Sequence, residues 1–439
     1  MRQIYLDNHS GTRLDERALN EMLPYLKDSY GNAQSMHSLG NKSKEALEQA
    51  RHQVAGLINA SDEEIYFTSC GSESNNLAIK GAAEAYSSKG KHIIVSSVEH
   101  FSVLYSTKRL EQAGFQVTIL PVDKYGVVAV DDLSQAIRKD TILVSIQQAN
   151  PEIGTIQPIE ELARITREKG ILFHTDAVAT AGTIPVDVKK MGVDLLTLAG
   201  SQFYGPKGAA ALYIKKGARV IPQVDGGIQE NGRRAGTENV PAIVGLGKAS
   251  EIAKTEMAEN NRKIITLRDR MISALSPMES GNGQEHPDPY GRGAHRETLP
   301  GKMEYVYLNG HPVNRLPNNV NFSVEFIEGE AMLLFLDGAG IYISSGSSCA
   351  SKALKMSHVL SAIKVDTAIA QGSALMTLSK YNSNEDIDYI LSEFPPIIKK
   401  LRDMSPLYAH FKKTGQRQAA GPGTDYAHAH KPEHDHDEE

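Results

Sequence analysis

The sequence predicts an α/β protein whose larger domain contains a mainly parallel sheet. Short runs rich in β-branched and aromatic residues alternate with helical patterns through the first half of the chain. The clearest strand candidates are residues 64–68, 92–96, 142–146 and 171–174. Residues 159–169, which precede the last of these strands, have helical spacing instead. Strands that alternate with helices are typical of a parallel sheet.

The pattern changes after about residue 255 and predicts a second, smaller α+β domain. Residues 320–324 and 341–344 again have the character of strands, and residues 385–401 have helical spacing. We expect a large domain over residues 15–255 and a small domain built from residues 1–14 and 256–414.

Two segments lack any sustained hydrophobic period. Residues 276–301 are rich in Gly, Pro and His, which predicts a long mobile loop. Residues 415–439 form a polar tail, expected to be disordered, that contains His428, His430, His434 and His436. These imidazoles could bind nickel, zinc or copper, although a solvated chain end is the simpler interpretation. We predict no metal site in the folded domains.

Composition and charge exclude several classes of function. Of the 439 residues, 40% are hydrophobic and 23% are charged, and the net charge of −6 gives no electrostatic reason to expect nucleic-acid binding. Apolar runs are far shorter than the ~20 residues that a transmembrane helix needs. The only cysteines, Cys70 and Cys349, cannot form a disulfide framework, and the polar start is unlike a signal peptide. We therefore expect a cytoplasmic protein that binds neither membranes nor nucleic acid.

The first candidate site follows a predicted strand, where ligands bind in parallel α/β sheets. Residues 68–74 open a helix that we expect to start near Asn75. The backbone N–H groups around Gly71 and Ser72 could therefore hold a phosphate. A Ser/Gly turn before a helix is more often simply a helix cap.

Two titratable residues stand at the ends of other predicted strands. Asp176 could pair with a pyridinium nitrogen, or it could cap a helix. His100 could lie against a cofactor ring, or it could be a hydrogen-bonded structural histidine. The residue types alone leave both alternatives open.

The second candidate site is the thiol of Cys349, in a segment of small residues at 344–351. Gly346 and the flanking serines give the access and freedom that a nucleophilic thiolate needs. Buried cysteines that act as small hydrophobic residues are the ordinary alternative. Few large apolar residues stand near Cys349, so we interpret it as a functional thiol.

A series of short motifs runs in a fixed order through nearly the whole chain. They stand at residues 5–7, 30–32, 37–40, 67–69, 73–74, 76–81, 204–208, 234–237 and 344–349. Together they resemble the motifs of cysteine desulfurases of the bacterial iron–sulfur assembly type, in the class V aminotransferase family of pyridoxal phosphate enzymes. The resemblance implies the type I fold of pyridoxal phosphate-dependent transferases and a homodimer with the cofactor near the subunit interface.

The resemblance also assigns expected roles to the candidate residues. Cys349 corresponds to the cysteine that receives sulfur from the substrate cysteine as a persulfide, which then reaches a sulfur acceptor or an iron–sulfur scaffold protein. Asp176 corresponds to the partner of the pyridinium nitrogen and His100 to the residue stacked on the ring. Ser72 corresponds to a phosphate contact, and Thr237 to a phosphate contact supplied by the other subunit.

The departures from the family pattern concern the covalent chemistry itself. Gln202 stands where the family has its Schiff-base lysine, and a carboxamide nitrogen cannot form a Schiff base because its lone pair is shared with the carbonyl group. Leu375 replaces the arginine that pairs with the substrate carboxylate, and leucine offers no donor. Four more family positions are changed, namely Pro151, Ala179, Ala199 and Ser201.

Two hypotheses follow. The chain is a degenerate family member, a pseudoenzyme for pyridoxal phosphate chemistry, that uses Cys349 to accept or pass sulfur or to ligate a shared iron–sulfur cluster. Alternatively, it is a working pyridoxal phosphate-dependent desulfurase or related lyase with altered or non-covalent anchoring of the cofactor. The sequence favours the first hypothesis, because anchor and substrate contacts are lost together.

Overall fold

The computed structural model describes residues 2–276, 303–346 and 356–417. Its helices are α1 Glu16–Lys27, α2 Ser38–Ile58, α3 Gly71–Tyr86, α4 Phe101–Gln112, α5 Val130–Ala136, α6 Ile159–Glu168, α7 Val188–Met191, α8 Val240–Leu275, α9 Gly329–Gly338, α10 His358–Ala362, α11 Thr367–Ala370, α12 Asn384–Met404 and α13 Pro406–Thr414. Its strands are β1 Ile4–Tyr5, β2 Ile65–Thr68, β3 His92–Ser96, β4 Gln116–Leu120, β5 Thr141–Ser145, β6 Leu172–Asp176, β7 Leu195–Ala199, β8 Ala210–Ile214, β9 Val306–Leu308, β10 Asn319–Val324, β11 Ile341–Tyr342 and β12 Ser373–Thr377.

The largest sheet has seven strands in the order β2-β8-β7-β6-β5-β3-β4. Strands β4, β3, β5, β6 and β7 pair in parallel, whereas β8 pairs antiparallel with both β7 and β2. The predicted mainly parallel sheet and α/β fold are therefore confirmed. Central strands such as β5 are buried on both faces, because helices cover both sides of the sheet.

Alternating side chains of these strands enter two separate cores. Val144 of β5 lies in one core together with Ile94, whereas its neighbour Leu143 packs with Ile93 in the other. A strand directs successive side chains to opposite faces, so a continuous apolar run serves both cores at once.

A third core lies among smaller sheets later in the chain. Strands β12, β10 and β9 form an antiparallel sheet, and β1 pairs in parallel with β11. Phe322, Met376 and Phe394 are fully buried in this core. Helix α8 joins the two parts, because its first half packs in the core of the seven-stranded sheet and its second half packs here. The expected domain boundary at residue 255 falls inside this helix, and the domain limits stay a prediction.

Two expectations about segment ends need comment. Helix α3 begins at Gly71, so the predicted start near Asn75 was wrong by one turn. The side chain of Glu73 accepts a hydrogen bond from the Ser69 N–H at 2.9 Å, which supports this early start. Apart from Ser276 and residues 415–417, the predicted loop at 276–301 and the tail lie outside the described residues.

Within the described ranges, none of the helices combines the length and the apolar character that a bilayer crossing requires. The same part of the chain holds no group of three or more His, Cys, Asp or Glu side chains suited to a metal ion.

Candidate functional site

The candidate residues gather where the parallel strands end. His100 follows β3, Asn150 follows β5, Asp176 ends β6 and Gln202 follows β7. Because these strands are parallel neighbours, their carboxyl ends meet at one edge of the sheet. These four positions therefore lie at one edge of the sheet.

A chain of hydrogen bonds joins Asp176 to His100. The Asn75 amide donates to Asp176 Oδ2 at 2.7 Å and to Ser102 Oγ at 2.8 Å. Ser102 Oγ lies 2.7 Å from His100 Nδ1, which also accepts from the Ser102 N–H at 3.1 Å. His100 is thus the N-cap residue of α4, with an exposed ring. The structural role considered for His100 is present, and the ring remains exposed.

The first turn of α3 lies at the same edge of the sheet. A Cβ atom added to Gly71 would lie 2.7 Å from Val178 Cγ2 and 3.8 Å from Ala199 Cβ, so only glycine allows this approach. Ser72 is exposed beside Gly71 and could contact an anion. The Ser69 N–H is engaged by Glu73, whose other oxygen accepts from Arg234 Nε at 2.8 Å. The amides from Gly71 onward are the ones that could hold a phosphate.

Gln202 lies in a short 3-10 helix, Gly200–Gln202, directly after β7. Its side chain makes no hydrogen bond to any residue of the described ranges, whereas the Ser201 carbonyl accepts from the Thr12 N–H at 2.8 Å. Gln202 lines a cavity of about 30 Å³ that also contains Lys380. Lys380 Nζ is held 2.5 Å from Asp15 Oδ2, so this lysine is engaged in a buried ion pair.

Thr237 is exposed in a loop that a buried ion pair ties to the sheet. Arg51 donates to both carboxylate oxygens of Glu230 at 2.9 Å, and Glu230 also accepts from the Phe67 N–H at 2.8 Å. Glu230 and Asn231 both have positive φ values, of 48° and 54°. The ion pair therefore holds the loop in a conformation that these residues rarely adopt alone.

Removing the carboxylate of Glu230 is expected to destabilise the protein strongly. The variant Glu230→Ala leaves the buried Arg51 with only the longer 3.4 Å contact to Glu48 as an ion pair, which should cost about 3–5 kcal/mol. Chemical denaturation measures this cost as a lower midpoint. Glu251→Ala, which removes an exposed carboxylate of α8, should change the midpoint little; equal losses in both variants would contradict the assignment.

Cys349 lies outside the described residues, but the segment that precedes it is placed by β12. The Leu375 N–H donates to the Ser344 carbonyl at 2.7 Å, and the Ser344 N–H donates back at 3.1 Å. Leu375 is fully buried, on the face of β12 opposite Met376 and the third core. The position that the resemblance assigns to the substrate carboxylate therefore borders the segment that carries Cys349.

Sequence reasoning missed several polar residues of this region. Glu99, next to His100, is fully buried and accepts hydrogen bonds from Ser96 Oγ and the Gln147 N–H. Burial raises the pKa of Glu99 to about 8, and the neighbouring Asp176 adds to the shift. His9 has a buried Nδ1 without a hydrogen-bond partner in the described ranges, and burial lowers its pKa. No local pattern signals these residues, because distant segments bury them.

Protein stability is expected to fall as the pH rises from about 5 to about 8. Glu99 has a folded-state pKa near 8 against an ordinary value of 4.5, so the unfolded chain releases its proton first. Stability from this group is complete below the ordinary pKa and declines by roughly 1.4 kcal/mol per pH unit above it. Unfolding free energies measured across this range should show a shallower decline for Glu99→Gln; an unchanged slope would contradict the assignment.

Comparison with known proteins identifies the family. The aminotransferase class-V family matches residues 4–284 and 297–390. The chain is 50% identical over 404 residues to cysteine desulfurase IscS of Methanosarcina thermophila, covering 92% of this chain and 94% of that protein. It is 48% identical over 411 residues to the IscS of Dictyoglomus turgidum, covering 94% and 98%.

Solved structures agree with this assignment. A NifS-like protein superposes with a TM-score of 0.81 at 37% identity, covering 91% of this chain and all of that chain. Its fold is that of the type I pyridoxal phosphate-dependent transferases, as expected from the sequence motifs. By sequence and by fold, the chain belongs to the class V aminotransferase family, among proteins similar to the IscS cysteine desulfurases.

Proposed function

We propose that this chain acts in sulfur transfer for iron–sulfur cluster assembly, with Cys349 as the thiol that carries the sulfur. The likeness to IscS proteins over more than nine-tenths of the chain supports this function. In the transfer step, the Cys349 thiolate attacks the outer sulfur of a donor persulfide. A new S–S bond forms, the donor's S–S bond breaks, and the donor leaves as a thiolate, with no net oxidation.

Two forms of this function differ in the origin of the sulfur. In the first form, the chain removes no sulfur from cysteine itself and receives persulfide sulfur from a donor protein. The observation that carries this form is Gln202, which offers no amine at the position of the family lysine. The buried Leu375 adds to it, because it cannot bind a carboxylate. Cys349 would then pass sulfur to an acceptor or ligate a cluster shared with a partner, as thiolates do.

In the second form, the chain is an active cysteine desulfurase with altered cofactor anchoring. The comparisons favour this form over the first, because the relatives that match nearly the whole chain are themselves named cysteine desulfurases. The hydrogen-bond chain from Asp176 through Asn75 to Ser102 also supports this form. It fixes the orientation of the Asp176 carboxylate, as a cofactor-binding site requires.

The residues present fit the non-covalent contacts of pyridoxal phosphate. The Asp176 carboxylate, which Asn75 orients, would hold the pyridinium nitrogen in its protonated form. The exposed ring of His100 would cover one face of the ring, and the amides from Gly71 and the Ser72 hydroxyl would bind the phosphate. Bound there, the cofactor supplies an electron sink for the substrate carbon. The fit does not extend to covalent attachment at Gln202.

A homodimer in the cytoplasm is part of the proposal. Thr237 is exposed at the surface, where it could reach the phosphate site of a second subunit. Tyr30 and Met36 are large apolar side chains that are 78% and 95% exposed, as a subunit interface would require. A sulfur acceptor or iron–sulfur scaffold protein would be the partner that takes the sulfur.

An experiment with two sulfur sources, free cysteine and a protein persulfide, distinguishes the two forms of the proposed function. In the first form, cysteine with added pyridoxal phosphate and reductant yields no sulfide, whereas a protein persulfide labels Cys349 with one extra sulfur atom. In the second form, cysteine with added pyridoxal phosphate labels Cys349 without a protein persulfide, and alanine accumulates. Failure of both sulfur sources to label Cys349 would overturn the proposed function.

A further inference from the structure

The hydrogen-bond chain that reaches His100 has a fixed direction, which begins at Asp176. Asp176 Oδ1 accepts from the Val178 N–H at 2.9 Å, and Oδ2 accepts from Asn75 Nδ2 at 2.7 Å. A carboxylate offers acceptors only, so Asn75 must turn its amide nitrogen toward Asp176. Asn75 Oδ1 is buried and has no hydrogen-bond partner in the described ranges, as expected for an amide that is oriented by its two donors.

The second N–H group of Asn75 is directed at Ser102. Asn75 Nδ2 lies 2.8 Å from Ser102 Oγ, so the serine oxygen accepts this bond. The hydroxyl proton of Ser102 is then free to donate to His100 Nδ1, which lies 2.7 Å away. Donation therefore runs from Asn75 through Ser102 to the imidazole ring of His100.

The main chain of α4 fixes the same nitrogen of the ring. The Ser102 N–H donates to His100 Nδ1 at 3.1 Å, and a backbone N–H can only donate. His100 Nδ1 thus faces two donors and is the nitrogen without a proton in the neutral ring. The proton of the neutral imidazole therefore belongs on Nε2.

The ring of His100 lines a cavity of about 440 Å³ between α3 and α4. Ser72, the candidate phosphate contact, lines the same cavity, as do Lys80 and Ser102. Nδ1 is occupied, whereas Nε2 of this exposed ring has no hydrogen-bond partner among the residues that the structure describes. A proton on Nε2 suits a ligand that brings an acceptor, such as an ionised oxygen, and does not suit an ammonium group.

We propose that Ser102 is a positioning residue that, oriented by Asn75, holds the proton of His100 on Nε2 and so gives this cavity a hydrogen-bond donor. The inference rests on the proposed function only in taking His100 as a residue that contacts the ligand. The role of His100 as a helix cap requires only the Ser102 N–H. What the proposal adds is the contribution of the Ser102 hydroxyl.

The test locates the ring proton directly by NMR in the full chain, labelled with ¹⁵N in its histidines. Spectra are recorded about two pH units above the ordinary histidine pKa of about 6.5, where neutral imidazoles dominate. The ¹⁵N shift of each ring nitrogen distinguishes an N–H nitrogen from an unprotonated one. Because the chain contains 15 histidines, the signals of His100 are identified as those missing from His100→Gln. We expect His100 to be protonated on Nε2.

Three variants isolate the hydroxyl of Ser102. Ser102→Ala should lower the ratio of the Nε2–H form to the Nδ1–H form by about fivefold, the change that corresponds to one lost hydrogen bond. Ser102→Thr keeps a hydroxyl group and should restore the original ratio. Ser106→Ala is the matched control, because the Ser106 hydroxyl lines the same cavity but donates to the Ser102 carbonyl at 2.6 Å. It should leave the ratio unchanged.

Three results would overturn the proposal. The first is a His100 ring protonated on Nδ1 in the original chain. The second is an unchanged ratio in Ser102→Ala, which would make His100 a helix cap that the backbone alone fixes. The third is an equal shift in Ser106→Ala. Because the spectra require neither a sulfur donor nor a cofactor, these results are independent of a failure of sulfur transfer.

Discussion

The variant Gln202→Lys is expected to gain covalent pyridoxal phosphate and, with it, cysteine-dependent sulfide release. Lysine supplies the amine that condenses with the aldehyde, and it also supplies a group that moves protons at the substrate carbon. Loss of a positioned acid–base group typically costs 10²–10⁴ in rate, so we expect a gain of at least about 10²-fold. Sulfide release with cysteine and added cofactor, compared with the original chain, measures it.

The matched control is Gln202→Met, which has similar length and no amine. It should behave like the original chain, because neither side chain can attack an aldehyde. The double variant Gln202→Lys with Leu375→Arg should have a lower KM for cysteine than Gln202→Lys alone, because arginine can form a bidentate pair with the substrate carboxylate. If the original chain and Gln202→Met release sulfide as fast as Gln202→Lys, position 202 is not the missing anchor.

The second large effect is expected at the thiol. Cys349→Ser should abolish persulfide labelling and sulfur delivery, because a hydroxyl group cannot hold a sulfane sulfur. Sulfur transfer from a labelled persulfide donor to an acceptor protein, followed by mass spectrometry, measures the loss.

Cys70→Ser is the internal control for that experiment. Cys70 is an exposed free thiol at the N-cap of α3, in the candidate phosphate loop. We expect Cys70→Ser to retain nearly full transfer. Equal losses of sulfur transfer in the two variants would contradict the assignment of Cys349 as the thiol that carries the sulfur.

The sheet could be predicted from the sequence alone, because the pattern that specifies each strand lies within a few consecutive residues. Residues 92–96 form β3 as predicted, and the strand predicted at 142–146 appears as β5 one residue earlier. Buried parallel strands need apolar side chains on both faces, so a short apolar run between helical patterns specifies them. The same reasoning placed Asp176 and His100 at strand ends, where the structure brings them to one edge.

The supporting residues could not be predicted in this way. Asn75 and Glu99 are ordinary polar residues in the sequence, and only segments far apart in the chain make them buried. The start of α3 depended on the Glu73 side chain and on the close approach of Gly71 to Val178, both of which require the tertiary structure. Burial and cross-chain hydrogen bonds have no signature within a short window of sequence.

The covalent state of the cofactor in the original chain tests the central claim most directly. Protein incubated with pyridoxal phosphate is reduced with borohydride, digested and analysed by mass spectrometry for pyridoxyl-modified peptides. We predict no stoichiometrically modified residue, only the nonspecific labelling that denatured protein also shows. We also predict no visible absorbance of a lysine-bound Schiff base. A single stoichiometric adduct on Lys207, Lys380 or another lysine, with steady formation of alanine from cysteine, would contradict the form in which the chain only receives sulfur and would establish the desulfurase form.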